Sequence, residues 1–476
     1  MVKTALKLRF APDEYLVTWQ LPSVGGDETL AAHGALTVEA GKPPKGIAHG
    51  DLDTLLEHPE PGVTEFPQRL SVPKLTGDMA NGANVLLLNA QVNYWVSSQA
   101  SIYAEAAVIT LASVTGDGAD RFKTFEIQVG GLDSVSGVEL IKSTSFPKQG
   151  MSGTWSAEIG SDHAQTWEDE TAKLTLSYNG TFRSFDPYAF RMGFSPVLRG
   201  ELATAVPLRE LLDDWISPIR RVVSIATGRA EELTYAALYL SSTGGDVHGQ
   251  LFGSAITQEP YESSLEEVRK VRSPLRLKPD AVSLLEMTRT WQKMASVHHP
   301  LLETYGAMLH ATDQHPRSRF LLLLQAIEGT YGFETKASFA KRLKKHAEDR
   351  DAVVKAASGS LNDKQLTFLQ KNLGKRPPAG LESAISWLAK RLPDDVLSRL
   401  DATSLITSAK APTGEAKNAP DALRIIRNDL AHGNRGYDVF ELSEVVKILE
   451  LMVRAHALEL LNCPVSVVER VLTQGR

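Results

Sequence analysis

Three residues near the C-terminal end of the chain, Arg427, Asn428 and His432, have the types and spacing to do acid–base chemistry on a charged substrate. An imidazole titrates near neutrality, so His432 can give or take a proton under physiological conditions. A guanidinium stays charged and presents a planar fork of donors, so Arg427 can hold a phosphate bidentately. Asn428 can hydrogen-bond phosphate or orient the imidazole. In-line attack of a hydroxyl on a phosphate ester needs a base for the hydroxyl proton, an acid for the leaving oxygen and a cation for the crowded phosphorus.

The element that must position them is the stretch 421–436, which reads as a helix stopping at a glycine. Leu423, Ile426 and Leu430 recur at i, i+3 and i+7 and form an apolar stripe. Asp421 after Pro420 suits the helix start, and Gly433 suits its stop. Arg427 lies about 40° from the centre of the stripe at 100° per residue, so it borders the buried face. His432 falls in the last turn, beside a loop rich in Gly and Asn, which is expected to hold guanidinium and imidazole near each other. Helix-end electrostatics accounts for the same pair, and the bare Arg-x4-His spacing is a weak motif. Asn428 and Asp429 read equally well as a solvated helix end.

The run Arg427-Asn428-Asp429-Leu430-Ala431-His432, followed by a long apolar helix, resembles the signature of HEPN domains. These are helical modules whose ribonuclease members carry Arg-x4-6-His with a polar residue after the Arg. The segment 320–328, ending in Gln325-Ala326-Ile327-Glu328, looks like the earlier helix of abortive-infection HEPN proteins. The layout, a β-rich half before this domain, is similar to the ApeA-like anti-phage HEPN proteins. The resemblance implies a metal-independent endoribonuclease with Arg427, Asn428 and His432 as its catalytic set, no cofactor and no metal. Glu328 would be the family's helix acid orienting Arg427, with Asp429 supporting. Because HEPN sites face each other across a dimer cleft and this chain shows one signature, a homodimer with a composite site is implied. The expected partners are RNA, with tRNA among the implied targets, and a phage-derived trigger. Two other readings stay open: a non-catalytic dimerisation or RNA-binding scaffold, and a toxin controlled by a modifying enzyme acting near Tyr437.

Further cations could guide an RNA backbone. Arg424 and Arg435 flank the signature. Lys341 and Lys344 belong to the densest basic run, 341–346, which also fits a solvated helix face.

At 476 residues, with 42% hydrophobic and 23% charged residues, the chain fits a globular protein of two or three domains. A net charge of −6 means that any RNA site must be a local basic patch. Cys463 is the only cysteine, which excludes an intramolecular disulfide and a thiolate metal cluster within one chain. The first ten residues lack the apolar core of a signal peptide, and the longest apolar run, 320–324, is too short to span a bilayer. The expectation is a cytoplasmic protein without membrane contact.

The expected fold class is α+β. Residues 1–275 form a β-rich regulatory or sensor domain, an antiparallel sheet of sandwich-like character, and 276–476 form an all-α helical bundle. Strands are expected at 15–21, 35–39, 84–96, 101–111, 124–129 and 233–240. An Asn179-Gly180 turn is expected to join a hairpin over 173–185. Gly/Pro/Asp segments at 22–29, 41–46 and 114–120 read as loops, and 208–226 as a helical pair. Helices follow at 280–297, 300–311, 316–331, 336–349, 362–372, 381–392, 421–432 and 441–462, with 402–420 as a loop. His298, His299, His310 and His315 form no ligand set with a suitably spaced carboxylate. Asp120 with Glu126 and Gln128 lacks the lysine of a metal-dependent nuclease strand. No Gly-x-Ser-x-Gly, Walker loop or dinucleotide fingerprint is present.

Overall fold

The computed structural model describes residues 5–474 except 25–27, 61–62, 113–120, 150, 155, 161–162, 187–188, 243–244, 312–313, 375–379 and 411–415. The chain divides into two compact units, Met1–Thr227 with Glu231–Thr288, and Gly228–Ala230 with Arg289–Arg476.

The first unit is built on β-strands. They are β1 (Asp13–Pro22), β2 (Thr29–Val38), β3 (Lys45–His49), β4 (Gln68–Met79), β5 (Asn84–Val96), β6 (Gln99–Tyr103), β7 (Ala106–Thr110) and β8 (Arg121–Val129). After the short pair β9 (Ile141–Ser145) and β10 (Ser156–Ile159) come β11 (Gln165–Glu168), β12 (Ala172–Asp186), β13 (Ala189–Pro207), β14 (Leu233–Ser242) and β15 (Gly245–Gly253). Thirteen of these form one sheet in the order β11-β12-β13-β8-β14-β15-β7-β5-β4-β1-β2-β3-β6, with β6 returning to pair with β5. The first six strands therefore close into an antiparallel barrel, which leaves no free edge among them. Instead of the expected sandwich-like pair of layers, a single sheet curls shut at one end.

Alternation explains the barrel. In β1 the inward residues Val17, Trp19 and Leu21 are buried, while Leu16 points out at 67% exposure. Trp19 is fully enclosed, and its indole N–H donates to the Ile47 carbonyl at 3.1 Å. Full burial of such side chains stabilises by about 2–3 kcal/mol each. Gly34 is required by close approach, since a Cβ there would fall 1.8 Å from the Ile47 carbonyl oxygen.

The Asn179-Gly180 turn expected from the sequence is not formed. Both residues lie within β12, where Asn179 pairs with Ser195 and Gly180 with Phe194. The ladder between β12 and β13 continues to Asp186↔Ala189, and residues 187–188 lie outside the described residues. A long run of cross-strand pairs outweighs the local turn preference of one dipeptide. The strand expected over 101–111 is broken at 104–105 into β6 and β7, which pair with different halves of β5. The unit also holds α1 (Leu132–Ser136), α2 (Leu208–Leu211), α3 (Ser217–Thr227) and α4 (Leu265–Val271). The loop expected at 114–120 and Asp120 lie outside the described residues.

The second unit is helical. Its elements are α5 (Leu284–Ser296), whose first five residues belong to the first unit, α6 (Pro300–His310), α7 (Pro316–Glu334), α8 (Lys336–Ala357), α9 (Asp363–Asn372) and α10 (Leu381–Arg391). They continue with α11 (Val396–Asp401), α12 (Ser404–Lys410), α13 (Ala419–His432), α14 (Val439–Leu460) and α15 (Val465–Thr473). Helices α7 and α14 pack at the centre, flanked by α6, α10 and α15, and α13 lies against α10, α12 and α7. Part of the segment 402–420, expected as a loop, is helix α12, with Leu405 and Ile406 buried. Helix α7 runs beyond 331 to Glu334, and Glu328 lies within it. Among the described residues no helix is long and apolar enough to cross a membrane.

Candidate active site

Helix α13 is fixed by its ends and by its stripe. The Asn418 side chain caps its start by accepting from the Asp421 amide at 2.9 Å. Asp421 in turn accepts from the Lys417 amide at 3.0 Å and from Arg424 at 2.6 Å, and these bonds hold its carboxyl below the usual range. Leu423, Ile426 and Leu430 are buried at 0%, 0% and 3% exposure, as the spacing predicts. At the other end Gly433 takes the left-handed conformation, φ 71°, and its N–H bonds the Asp429 carbonyl. Arg317 at the start of α7 donates to the carbonyl of Leu430.

Arg427 borders the buried face. Its Nη2 donates to Glu328 Oε2 on α7 at 3.2 Å, and its Nη1 donates to Asn428 Oδ1 at 3.2 Å. The guanidinium keeps 40% of its side-chain surface exposed, so it is oriented from within the protein and still reachable. His432 is exposed in the last turn, and among the described residues it has no hydrogen-bond or ion-pair partner.

The two side chains, expected near each other from the sequence, form no contact among the described residues. Five residues of α-helix separate them by about 140° around the axis and roughly 7.5 Å along it, and no hydrogen bond joins them. A single α13 presents cation and imidazole on different sides.

The loop after Gly433 is ordered by Asp429, whose Oδ2 accepts from the Tyr437 hydroxyl at 2.6 Å. Arg435 stacks over that tyrosine ring at 5.1 Å, and Asp438 caps α14 by accepting from the Phe440 amide at 2.8 Å. Asp429 is thus a supporting residue through the loop, and Arg435 is an exposed cation beside His432.

The remaining cations divide differently from expectation. Arg424 is engaged by Glu382 at 2.7 Å and Asp421 at 2.6 Å and ties α13 to α10, with 41% of its side-chain surface still exposed. Lys341 and Lys344 are exposed on α8, whose main packing neighbours are α7 and α9, so the structure does not gather them with the α13 signature. Arg317 and Asp438, which position the two helix ends, were not singled out by sequence. A capping aspartate before an apolar helix is a legible signal, whereas a cation reaching a carbonyl 113 residues away is not.

His299, one of the histidines considered as a metal ligand, instead caps α6 and is buried. Among the described residues no group of three or more His, Cys, Asp or Glu could hold a metal ion. Glu126 accepts from the Tyr239 hydroxyl at 2.7 Å. No protein-family model, no curated protein and no solved structure matches this chain.

Proposed function

We propose that the chain is a HEPN-type endoribonuclease of abortive anti-phage defence that cleaves single-stranded or loop RNA, such as tRNA, without a metal ion. The observation that carries the reading is the half-exposed Arg427 guanidinium, oriented by Glu328 and Asn428, on a helix whose last turn offers an exposed His432 without a partner among the described residues. One His432 takes the 2′-hydroxyl proton, and the oxygen attacks the adjacent phosphorus. Arg427 neutralises the phosphorane, and an acid protonates the departing 5′-oxygen, leaving a 2′,3′-cyclic phosphate. Base and acid are separate roles, and each chain carries one such histidine. A homodimer that apposes two α13 ends supplies both and brings an Arg427 from one copy toward a His432 of the other. Phe440, 82% exposed at the start of α14, is an apolar group that such an interface would cover. The β-rich unit restrains the site or senses a phage-derived trigger.

The test is induction in a bacterial host, with wild type beside His432→Ala and total RNA and tRNA resolved on gels. RNA breakage that disappears in a soluble, dimeric mutant is expected. Breakage abolished by EDTA would count against metal-free chemistry. Absence of breakage in wild type even under phage challenge would leave the non-catalytic scaffold as the better reading.

A further inference from the structure

Helices α8 and α9 fold back on each other as a hairpin, and neither holds a buried residue. A narrow seam joins them. Phe339, Leu343 and Val354 on α8 and Leu366 and Leu369 on α9 are half-buried, and most other residues of both helices are exposed. Side chains of α8 satisfy the end of α9. Arg350 donates to the carbonyls of Leu373 and Gln370 at 3.4 and 3.2 Å, and His346 Nε2 donates to that of Gly374 at 2.8 Å. The two helices are therefore antiparallel, with the end of α9 level with the middle of α8. The start of α8 is tied to the bundle, where Arg342 stacks over Tyr331 of α7 at 5.9 Å.

This hairpin is basic in an acidic chain. Residues 336–372 hold nine Lys or Arg and four Asp or Glu, whereas the whole chain carries a net −6. Arg342 and Arg350 are engaged within the protein. Lys341, Lys344 and Lys345 on α8 and Lys364 and Lys371 on α9 are exposed, with no hydrogen-bond or ion-pair partner among the described residues. The acids compensate them only in part. Asp351 is paired with Arg350 at 3.6 Å, and Asp363 sits in the first turn of α9, where the helix dipole favours it. Glu348 and Asp349 follow the α8 lysines one turn on and form no ion pair among the described residues.

On α9 the cations flank an aromatic ring. Lys364, Phe368 and Lys371 stand at i, i+4 and i+7, so they share one face over about 10 Å of helix. Phe368 is 69% exposed. A ring held in water between two unpaired ammonium groups matches a ligand that offers π-faces and anionic groups together.

We propose that the α8–α9 hairpin is a docking surface for single-stranded RNA, with the lysines of both helices on the phosphate backbone and Phe368 under a base. Lysine–phosphate contacts supply affinity without regard to sequence, and stacking on an aromatic ring adds to it where the bases are unpaired. The choice of RNA as the polyanion rests on the function proposed above, but docking needs none of Arg427, Asn428 or His432, which lie on α13.

The test is fluorescence anisotropy of a labelled single-stranded RNA of about 12 nucleotides with the full chain carrying His432→Ala, so that the probe stays whole. Affinity should fall at least tenfold between about 50 and 200 mM KCl. Lys341→Glu combined with Lys344→Glu and Lys345→Glu should keep Tm and lower affinity at least tenfold. Phe368→Ala should lower it about fivefold for the single strand and leave a duplex of the same sequence unchanged. The same charge change at Lys123, Lys142 and Lys148, exposed in the first unit, controls for net charge and should cost less than threefold. No saturable binding at the lower salt would overturn the proposal, as would full affinity in the α8 variant or an equal loss in the control. Tighter binding of DNA of the same sequence would overturn RNA as the occupant. If Phe368→Ala dissociates an oligomer on gel filtration and leaves RNA affinity unchanged, the face belongs to a second copy of this chain and the proposal falls. RNA held through the hairpin but left uncut by wild type would remove the nuclease alone. RNA cut by wild type, with the hairpin variants at full affinity, would remove the docking surface alone.

Discussion

Arg427 donates to Glu328 at 3.2 Å across 99 residues of sequence, and this bond joins the signature helix to the central helix of the bundle. Both side chains are partly exposed, at 40% and 33%, so solvent screens the pair and its contribution to stability is under about 1 kcal/mol. Its value lies in geometry. Glu328 holds Nη2 and Asn428 holds Nη1, while 40% of the side-chain surface stays exposed.

Glu328→Ala should therefore leave Tm almost unchanged while lowering the single-turnover rate of RNA cleavage by about tenfold, with little change in RNA affinity. Glu328→Gln, which can still accept a hydrogen bond, should recover most of that loss. Equal rates for wild type and Glu328→Ala would remove the positioning role.

The fork of Arg427 is the property that a lysine cannot copy. Arg427→Lys keeps the charge and loses bidentate geometry, and a fall of about 10²-fold in cleavage rate is expected. His432→Ala should lose about 10²–10⁴-fold. Groups acting as a unit are not additive, so the double variant should be little worse than His432→Ala alone. Cleavage of a fluorescent loop RNA under single-turnover conditions measures all three. A lysine variant at wild-type rate would sink the bidentate role.

A buried charge cluster gives the helical unit a pH dependence of its own. Both ring nitrogens of His456 face carboxylates, Nδ1 to Glu459 at 2.8 Å and Nε2 to Glu334 at 2.7 Å. Carboxylates only accept, so both nitrogens donate and the ring is an imidazolium. Burial pulls its pKa down, but the hydrogen bonds it donates to Glu334 and Glu459 more than reverse that, leaving it above the ordinary 6.5. Arg391 reaches both glutamates, at 3.9 and 3.3 Å. His299, 4.0 Å from Glu334, is pushed the other way by burial, which outweighs the upward pull of Glu334 and to which His456 adds. A raised folded value gives stability that is complete below the unfolded value and is lost as pH climbs through the folded one. Tm of wild type should fall as pH rises above 6.5, while His456→Gln should be less stable at neutral pH, by about 3 kcal/mol, with a flatter Tm profile above it. A flat wild-type profile across that window would remove His456 from the account.

Local signals were legible and long-range ones were not. The stripe of Leu423, Ile426 and Leu430 and the Gly433 stop could be read because they depend on period and backbone conformation within one helix. Closure of the barrel depends on β6 finding β5 on the far side from β3, which no short window encodes. Asn179-Gly180 misled for the same reason, because its cross-strand partners Ser195 and Phe194 decide its conformation. At the candidate site, residue types and spacing named Arg427 and His432. Their separation around α13 was set by helical geometry, and the tie to Glu328 by packing against α7.

Gly433 is where those local and functional demands meet. Its φ of 71° is left-handed, and nothing lies within 4 Å of a Cβ built there, so a substitution is felt only through the backbone. Gly433→Asn should cost a few tenths of a kcal/mol, because asparagine tolerates this conformation, while Gly433→Val should cost about 1–2 kcal/mol. The valine also favours another turn of helix or a frayed end, and either displaces His432 relative to Arg435 and Tyr437. Cleavage should therefore drop further in Gly433→Val than its loss of Tm explains at a temperature where it is fully folded. If the valine variant cuts RNA at the rate of the asparagine variant, the helix stop serves stability alone, and the position of His432 does not depend on it.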